Sequence, residues 1–329
     1  MKCTVRILKI ILAVLIIILC VITGIKIRQN TDPKDVVSIY ETSNYNQGIY
    51  TGELIAENLC VSEEDVAMEG APNTEGLHAA ALFDLNNQKV NFSYHIYDRL
   101  YPASTTKLMT ALVAIKNANL SDMVTVSANA SSDNFAPDES VCHIKTGDQM
   151  TLKDLLYGLL LHSGNDNAIA IAEYVGGSVE NFTAMMNQEA ANLMATGSHF
   201  MNPHGLHDEN HYTTAYDLYL IFNECMKYQD FIEIINKDSY TVNITGSDGT
   251  VRQEIWETSH YYAQKEATPP ENVNIIGGKT GTTELAGNCL VLLEEDLQGN
   301  PYISIIMGAE TKDLLYQDMT ALMGAGIPK

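Results

Sequence analysis

Apolar and polar positions repeat with two different periods along this chain, and the changes of period outline its architecture. Ala79–Asp84 is an apolar run, Leu85-Asn86-Asn87-Gln88 is a turn, and Lys89–Tyr94 alternates, which predicts a hairpin. Residues 108–118 are apolar all round, predicting a helix buried on every side. Thr151 and Asp154 make a capping box before 152–161, a second nearly continuous apolar helix. Residues 166–175 read as a helix closed by Gly176-Gly177. Ser178 caps another, with Val179, Phe182, Met185, Met186, Leu193 and Met194 at helical spacing. Thr214 with Asp217 opens one more, running to about Met226. After Asn272 the pattern turns to strands at 273–277, 289–293 and 302–307, with Gln298-Gly299-Asn300 as a turn and a last helix from about Asp313. Strands at both ends of the body with helices between them predict one sheet built from both chain ends, an α/β sandwich with a helical insertion.

Upstream of this body the pattern is different. The chain is uncharged and apolar from 10 to 25, with basic residues on both sides. That stretch is longer than most signal-peptide cores and, with Lys9 and Lys26 snorkelling, can cover about 30 Å as a helix. No A-x-A cleavage pattern follows it. Residues 1–28 are therefore expected to be an N-terminal transmembrane anchor or signal segment, with a retained anchor favoured and the remainder exported. Residues 29–76 are polar and acidic, as in Ser62-Glu63-Glu64-Asp65. They read mainly as a stalk with a reach of roughly 35–40 Å, with the alternative that 54–66 pack onto the body. The catalytic domain is expected over 77–329.

Charge narrows the partners. The net charge is -22, yet residues 1–28 carry five basic side chains and no acid, so the rest of the chain stands at -27. A body this acidic repels a phosphate backbone, which argues against nucleic acid. Cys60, Cys142, Cys225 and Cys289 lie beyond the apolar segment, widely scattered and with no C-x-x-C pair. Their spacing supports no metal site, and small buried apolar residues are the expected role.

Three short motifs carry chemistry. Ser104-Thr105-Thr106-Lys107 puts a hydroxyl and an amine three residues apart, on one face if helical. A lysine kept neutral by burial and a neighbouring cation can take the hydroxyl proton. Ser163-Gly164-Asn165 lies between two helices, where a loop can aim a hydroxyl and an amide into a cleft. Lys279-Thr280-Gly281 follows Gly277-Gly278 beside strand-forming residues, where an edge strand can offer a cation and a hydroxyl to a ligand carboxylate. Lys145-Thr146-Gly147 has the same letters but leads into polar residues and then a helix, so Lys279 is the expected copy. Each motif alone is weak, since these residues also suit helix starts and turns.

In the order S-x-x-K, S-x-N, K-T-G the three mark penicillin-binding proteins and serine β-lactamases. The wording around them, Tyr101-Pro-Ala-Ser-Thr-Thr-Lys107, His162-Ser-Gly-Asn-Asp166, Phe200-Met-Asn-Pro-His-Gly-Leu206 and Gly278-Lys-Thr-Gly-Thr282 followed by Ala286-Gly287, resembles the low-molecular-weight serine D-alanyl-D-alanine carboxypeptidases from about residue 76 to 325. The resemblance implies a transpeptidase-like fold, a mainly antiparallel sheet flanked by helices. It implies that Ser104 is the acylated nucleophile and Lys107 its base. Ser163 would relay a proton, and Asn165 would contact the substrate amide. Lys279 and Thr280 would hold a terminal carboxylate, with Gly281 between them and Thr282, and the backbone N–H groups of Ser104 and Thr282 would form an oxyanion hole. The expected substrate is the peptidoglycan stem peptide ending in D-Ala-D-Ala, with β-lactams as covalent inhibitors and no cofactor or metal. Alternatives are a D,D-endopeptidase acting on cross-links and a β-lactam-binding sensor, although only about nine residues precede the apolar segment to serve as an output region. A class-A β-lactamase would need a glutamate in an E-x-x-L-N context past Ser-x-Asn, and none is present. No arginine follows Arg252, so any late-arginine contact to a substrate carboxylate is absent or falls to Lys312. His207 and His211, four apart, could bind zinc on a helix, but they follow a Pro203-His204-Gly205 turn, which disfavours it.

Overall fold

The computed structural model describes residues 59–329, and these fall within one compact unit, Asn58–Lys329. In chain order the first elements are strands β1 (Ala79–Asp84) and β2 (Lys89–Tyr94), a 3-10 turn at Ala103–Thr106, helix α1 (Lys107–Asn117) and strands β3 (Met123–Thr125) and β4 (Gln149–Thr151). Helix α2 (Leu152–Tyr157) continues into a π-helical turn at Gly158–His162, followed by α3 (Asn165–Gly176), α4 (Val179–Asn192), α5 (Ala215–Cys225) and α6 (Gln229–Ile235). The C-terminal part contains β5 (Ser239–Thr245), β6 (Val251–Glu257), α7 (Tyr261–Gln264), β7 (Val273–Thr283), β8 (Gly287–Asp296), β9 (Pro301–Ala309) and α8 (Lys312–Gly326).

Both chain ends do build one antiparallel sheet, in the order β2-β1-β9-β8-β7. Its inner strands are covered on both faces, which is why they read as apolar runs. From β1, Ala79, Ala81 and Phe83 enter the core shared with the helical region, while Ala80 and Leu82 enter a second core under α8. In β8, Val291 and Leu293 take the first side and Leu290 and Leu292 the second. Helix α1 lies in the first core, with Leu108, Met109, Leu112 and Val113 fully buried, as its all-round apolar pattern required.

The capping predictions hold in detail. Thr151 and Asp154 form a reciprocal capping box, and Ser178 and Thr214 accept the N–H groups of Asn181 and Asp217. The apolar run 152–161 is not one α-helix, because its second half widens into the π-helical turn. A β5–β6 hairpin joins β3 and β4 in a second, four-stranded sheet that the single-sheet expectation did not include. The body also begins earlier than residue 77. Cys60 is buried and accepts into its backbone the Tyr216 hydroxyl, while Val66 and Ser93 exchange backbone hydrogen bonds. The chain over 59–76 therefore runs along the body through Cys60 and Val66, with Glu63, Glu64 and Asp65 exposed; 29–58 and the expected anchor lie outside the described residues. Among the described residues no helix is long and apolar enough to cross a membrane. Cys60, Cys142, Cys225 and Cys289 are all buried free thiols.

One prediction concerns the joint between sheet and helices. Phe83 is fully buried and stacks on Tyr219 of α5 at a ring-centroid distance of 4.1 Å. Phe83→Ala should cost about 3–5 kcal/mol of unfolding free energy, by lost transfer energy and the cavity left behind. Urea unfolding of the isolated body measures it, and a loss below about 1 kcal/mol would mean the site collapses without penalty.

Candidate active site

Three chain segments converge on Lys107. The first is the 3-10 turn carrying Ser104. Thr105 Oγ1 donates to Pro102 O at 2.7 Å and Thr106 Oγ1 to Ala103 O at 2.8 Å, which winds the chain tightly ahead of α1. Ala103 sits at φ +48, a conformation that costs energy in a non-glycine residue. In a 3-10 turn positions i and i+3 eclipse, so Lys107 lies directly beside Ser104, and its Nζ stands 2.9 Å from Ser104 Oγ.

The second segment is the Ser163-Gly164-Asn165 turn between the π-helical turn and α3. Ser163 is left-handed, at φ +65. The turn fits closely against its surroundings: a β-carbon at Gly164 would lie 2.7 Å from Cys142 Sγ. Beneath it the buried Asp166 carboxylate accepts the backbone N–H groups of Cys142 and Ile144, and Ser140 O accepts Asn165 N at 2.8 Å. These bonds fix the loop that forms one wall of the cleft.

The third segment is β7, whose Lys279-Thr280-Gly281 passes the Ser104 turn. A β-carbon at Gly281 would lie 3.0 Å from both Pro102 O and Ser104 N, so glycine permits this approach. Lys279 is 1% exposed and donates to Ser163 Oγ at 3.0 Å and to Thr280 O at 2.9 Å. Thr280 Oγ1 pairs with Ser259 Oγ at 2.6 Å. The other Lys-Thr-Gly copy is elsewhere: the Lys145 side chain is half exposed and bridges Asp133.

Lys107 has no exposure at all, and its Nζ has three neighbours: Ser104 Oγ, Asn165 Oδ1 at 2.7 Å and His204 O at 2.7 Å. Burial, and secondarily the Lys279 charge, hold its pKa well below the usual lysine value against the opposing pull of Asp166. Burial brings Lys279 down to about 7. The hydrogen count then sets the direction of chemistry. A neutral amine has two hydrogens and one lone pair. Asn165 Oδ1 and His204 O can only accept, so they take both hydrogens and the lone pair faces the Ser104 hydroxyl. That is the orientation of a general base.

The cleft in front of Ser104 holds about 180 Å³ and is lined by Ser163, Thr280, Gly281 and Thr282 on the motif side and by Tyr261, Lys312 and Tyr316 opposite. Asn165 is not in this lining; its side-chain oxygen is turned to Lys107. A larger bay of about 530 Å³ adjoins through Ser140, His162 and Ser259 but holds no catalytic-motif side chain. Sequence reasoning missed the His204 carbonyl, the Ser259 partner of Thr280, and the Tyr261–Tyr316 wall. A signal for the first existed in the Asn202-Pro203-His204-Gly205 turn: Gly205 sits at φ +90, where a β-carbon would lie 1.9 Å from Ala103 O. His207 and His211 share no helix. His211 is buried against Thr106, and the His207 ring meets Tyr101 edge-on.

Comparison with known proteins places this geometry. The sequence profile of the D-alanyl-D-alanine carboxypeptidases, peptidase family S11, matches residues 67–311. The D-alanyl-D-alanine carboxypeptidase DacC of Escherichia coli is 33% identical over 265 residues, 78% of this chain and 62% of that protein. DacF of Bacillus subtilis, described by the same name, is 30% identical over 239 residues, 71% of this chain and 57% of that one. The chain thus spans about three fifths of the length of these relatives. The Streptomyces K15 DD-transpeptidase structure superposes with a TM-score of 0.71 at 28% identity, covering 76% of this chain and 97% of that one. Penicillin-binding protein 5 of Haemophilus influenzae gives 0.67 at 27%, covering 80% and 72%. On the extent of these matches and the transpeptidase-like antiparallel fold they share, the chain belongs to the D-alanyl-D-alanine carboxypeptidase family, peptidase S11.

Proposed function

We propose that the protein is a serine D-Ala-D-Ala carboxypeptidase that removes the terminal D-alanine from peptidoglycan stem peptides through an acyl-enzyme on Ser104. The observation that carries this reading is the fully buried Lys107, whose two obligate acceptors leave its lone pair facing Ser104 Oγ at 2.9 Å. Lys107 takes the hydroxyl proton as Oγ attacks the penultimate carbonyl. Charge develops on the carbonyl oxygen and is met by the backbone N–H groups of Ser104 and Thr282. The C–N bond then breaks. The proton that Lys107 accepted passes by way of the Ser163 hydroxyl, itself bonded to Lys279, to the departing nitrogen, so D-alanine leaves and Lys107 is again a neutral amine. Water adds to the ester carbonyl as Lys107 accepts its proton; the bond to Ser104 Oγ then breaks, Lys107 returns that proton to Oγ, and the shortened peptide departs as its carboxylic acid.

Thr280 and Lys312 line the cleft and Lys279 lies buried behind Ser163, and together they supply the local positive and polar groups that an anionic peptide terminus requires in so acidic a body. The catalytic body is assigned to the cell-wall side of the membrane, tethered by the apolar segment 10–25. A β-lactam offers Ser104 the same electrophilic carbonyl.

A labelled penicillin should attach to Ser104 alone, as read by peptide mapping, and label elsewhere would overturn the reading. Lys107→Ala should fold and yet lose acylation by about 10²–10⁴-fold, the usual contribution of a general base. Wild-type acylation by that variant would make Lys107 a structural neighbour only. On purified pentapeptide and cross-linked dimer, mass analysis should find D-alanine released from the first and the second left intact.

The two lysines also predict a pH profile. Lys107 works only without its proton, so kcat/KM rises with pH through a value well below that of free lysine. Lys279 attracts the substrate carboxylate only while charged, so the profile falls again as pH passes about 7. Lys279→Ala should sharply lower D-alanine release and remove the alkaline limb, while Lys145→Ala stays within about threefold of wild type, a surface ion pair contributing little. Comparing the kcat/KM profiles of the two variants on one pentapeptide decides which lysine serves the site.

A further inference from the structure

The stretch 199–213 does more than pass beneath the cleft. It bridges to the nucleophile segment through the Leu100–Thr213 pair and supplies the His204 carbonyl to Lys107. Within it His211 is 2% exposed, its ring edge-on to Phe200, and both ring nitrogens are engaged. Met201 N–H donates to Nδ1 at 3.1 Å, so Nδ1 is an acceptor and the neutral ring carries its proton on Nε2. Burial pushes the imidazole down to about 4, which keeps the ring neutral at ordinary pH. Nε2 lies 2.8 Å from Thr106 Oγ1, which itself stands 2.8 Å from Ala103 O.

The hydrogens in this chain have one consistent arrangement. His211 Nε2–H donates to Thr106, so the single Thr106 hydroxyl hydrogen is directed to Ala103 O. The opposite tautomer would draw that hydrogen toward the imidazole and leave the Ala103 carbonyl without it. Ala103 is the left-handed residue immediately before Ser104, and its carbonyl faces Gly205 of the same loop. We propose that His211 is a positioning residue for the nucleophile: a backbone N–H fixes its tautomer, and the ring then orients Thr106 to hold the Ser104 turn. One loop thereby aims both the nucleophile, through His211 and Thr106, and the base, through the His204 carbonyl. The inference rests on Ser104 being the acylated residue.

The test separates the two ring nitrogens. A glutamine amide N–H reaches the place of Nε2, whereas asparagine stops near Nδ1 and leaves Thr106 without its donor. Acylation by a labelled penicillin is followed in the full chain for His211→Asn, His211→Gln, Thr106→Val and Thr106→Ser, with thermal unfolding measured in parallel. His211→Asn and Thr106→Val should slow the acylation step about ten- to hundredfold, as expected for losing a buried hydrogen bond that acts on the reacting geometry, with the non-covalent penicillin affinity unchanged. His211→Gln and Thr106→Ser should stay within about threefold of wild type, and the His211→Asn/Thr106→Val double variant should be no slower than the slower single one. Equal rates for Asn and Gln, or losses that follow thermal stability across all four variants, would overturn the positioning role. A wild-type protein that takes up no label at Ser104 would overturn the carboxypeptidase reading itself, and is distinguished by that control.

Discussion

A lysine amine held without water is the constraint on which the rest of this structure depends. Taking an ammonium group out of water is costly enough that a lysine so placed gives up its proton. Lys107 is driven there by its helix: the first eight residues of α1, 107–114, are all buried in the main core, so its first residue starts inside the protein. Two carbonyl oxygens accept what the amine can donate, and the buried Lys279 further disfavours a second positive charge. Two buried lysines are a poor choice for stability. Under the proposed function they are a base and a cation kept in readiness, the familiar conflict between a stable core and a working site.

Holding the amine in this way requires backbone conformations that the chain would otherwise avoid. Ala103 and Ser163, on either side of Lys107, are both left-handed without being glycine, and the surrounding bonds over-determine them. Around Ala103 these are the Thr105 and Thr106 hydroxyls and the Gly205 contact; behind Ser163 they are the Asp166 carboxylate and the close fit of Gly164 on Cys142. Strain at these points is concentrated where a hydroxyl has to project into the cleft. The sheet supplies the rigid reference, since β7 is locked to β8 along its length and presents Lys279 and Thr280 at a set height beside Ser104.

The electrostatics of the cleft run against those of the molecule. A body of strongly negative net charge has Lys279 beneath the cleft and Lys312 in its wall, with the Lys312 ammonium over the Tyr261 ring at 5.7 Å. Lys312 lines the side of the cleft formed with Tyr261 and Tyr316. Its side chain is exposed, whereas Lys279 is buried and held by Ser163, so the two cations differ in how rigidly they are placed.

Much of this could be read from the chain alone, because its causes are local. The capping pairs Thr151–Asp154 and Thr214–Asp217, the turn at Leu85–Gln88 and the two-sided burial of β1 and β8 all arise from residues a few positions apart, and each appeared where the pattern put it. The ordered motifs likewise named Ser104, Lys107, Ser163 and Lys279 before their geometry was visible. The β5 half of the β5–β6 hairpin does alternate, with Tyr240, Val242 and Ile244 on one face, but β6 buries only Trp256, so the pairing of the two strands was the weak signal. The π-helical turn escaped because a nearly all-apolar run has no polar face, and so no period by which one helix type can be told from the other. What only the tertiary structure decided is how distant groups are paired. Lys145 and Lys279 stand in the same three letters, but one meets solvent and Asp133 and the other meets Ser163, 116 residues away. The His204 carbonyl, 97 residues from Lys107, has no side-chain identity for a motif to record. Periodicity and capping are written in neighbouring residues, whereas the proton state of a buried amine is set by whatever the completed fold brings against it.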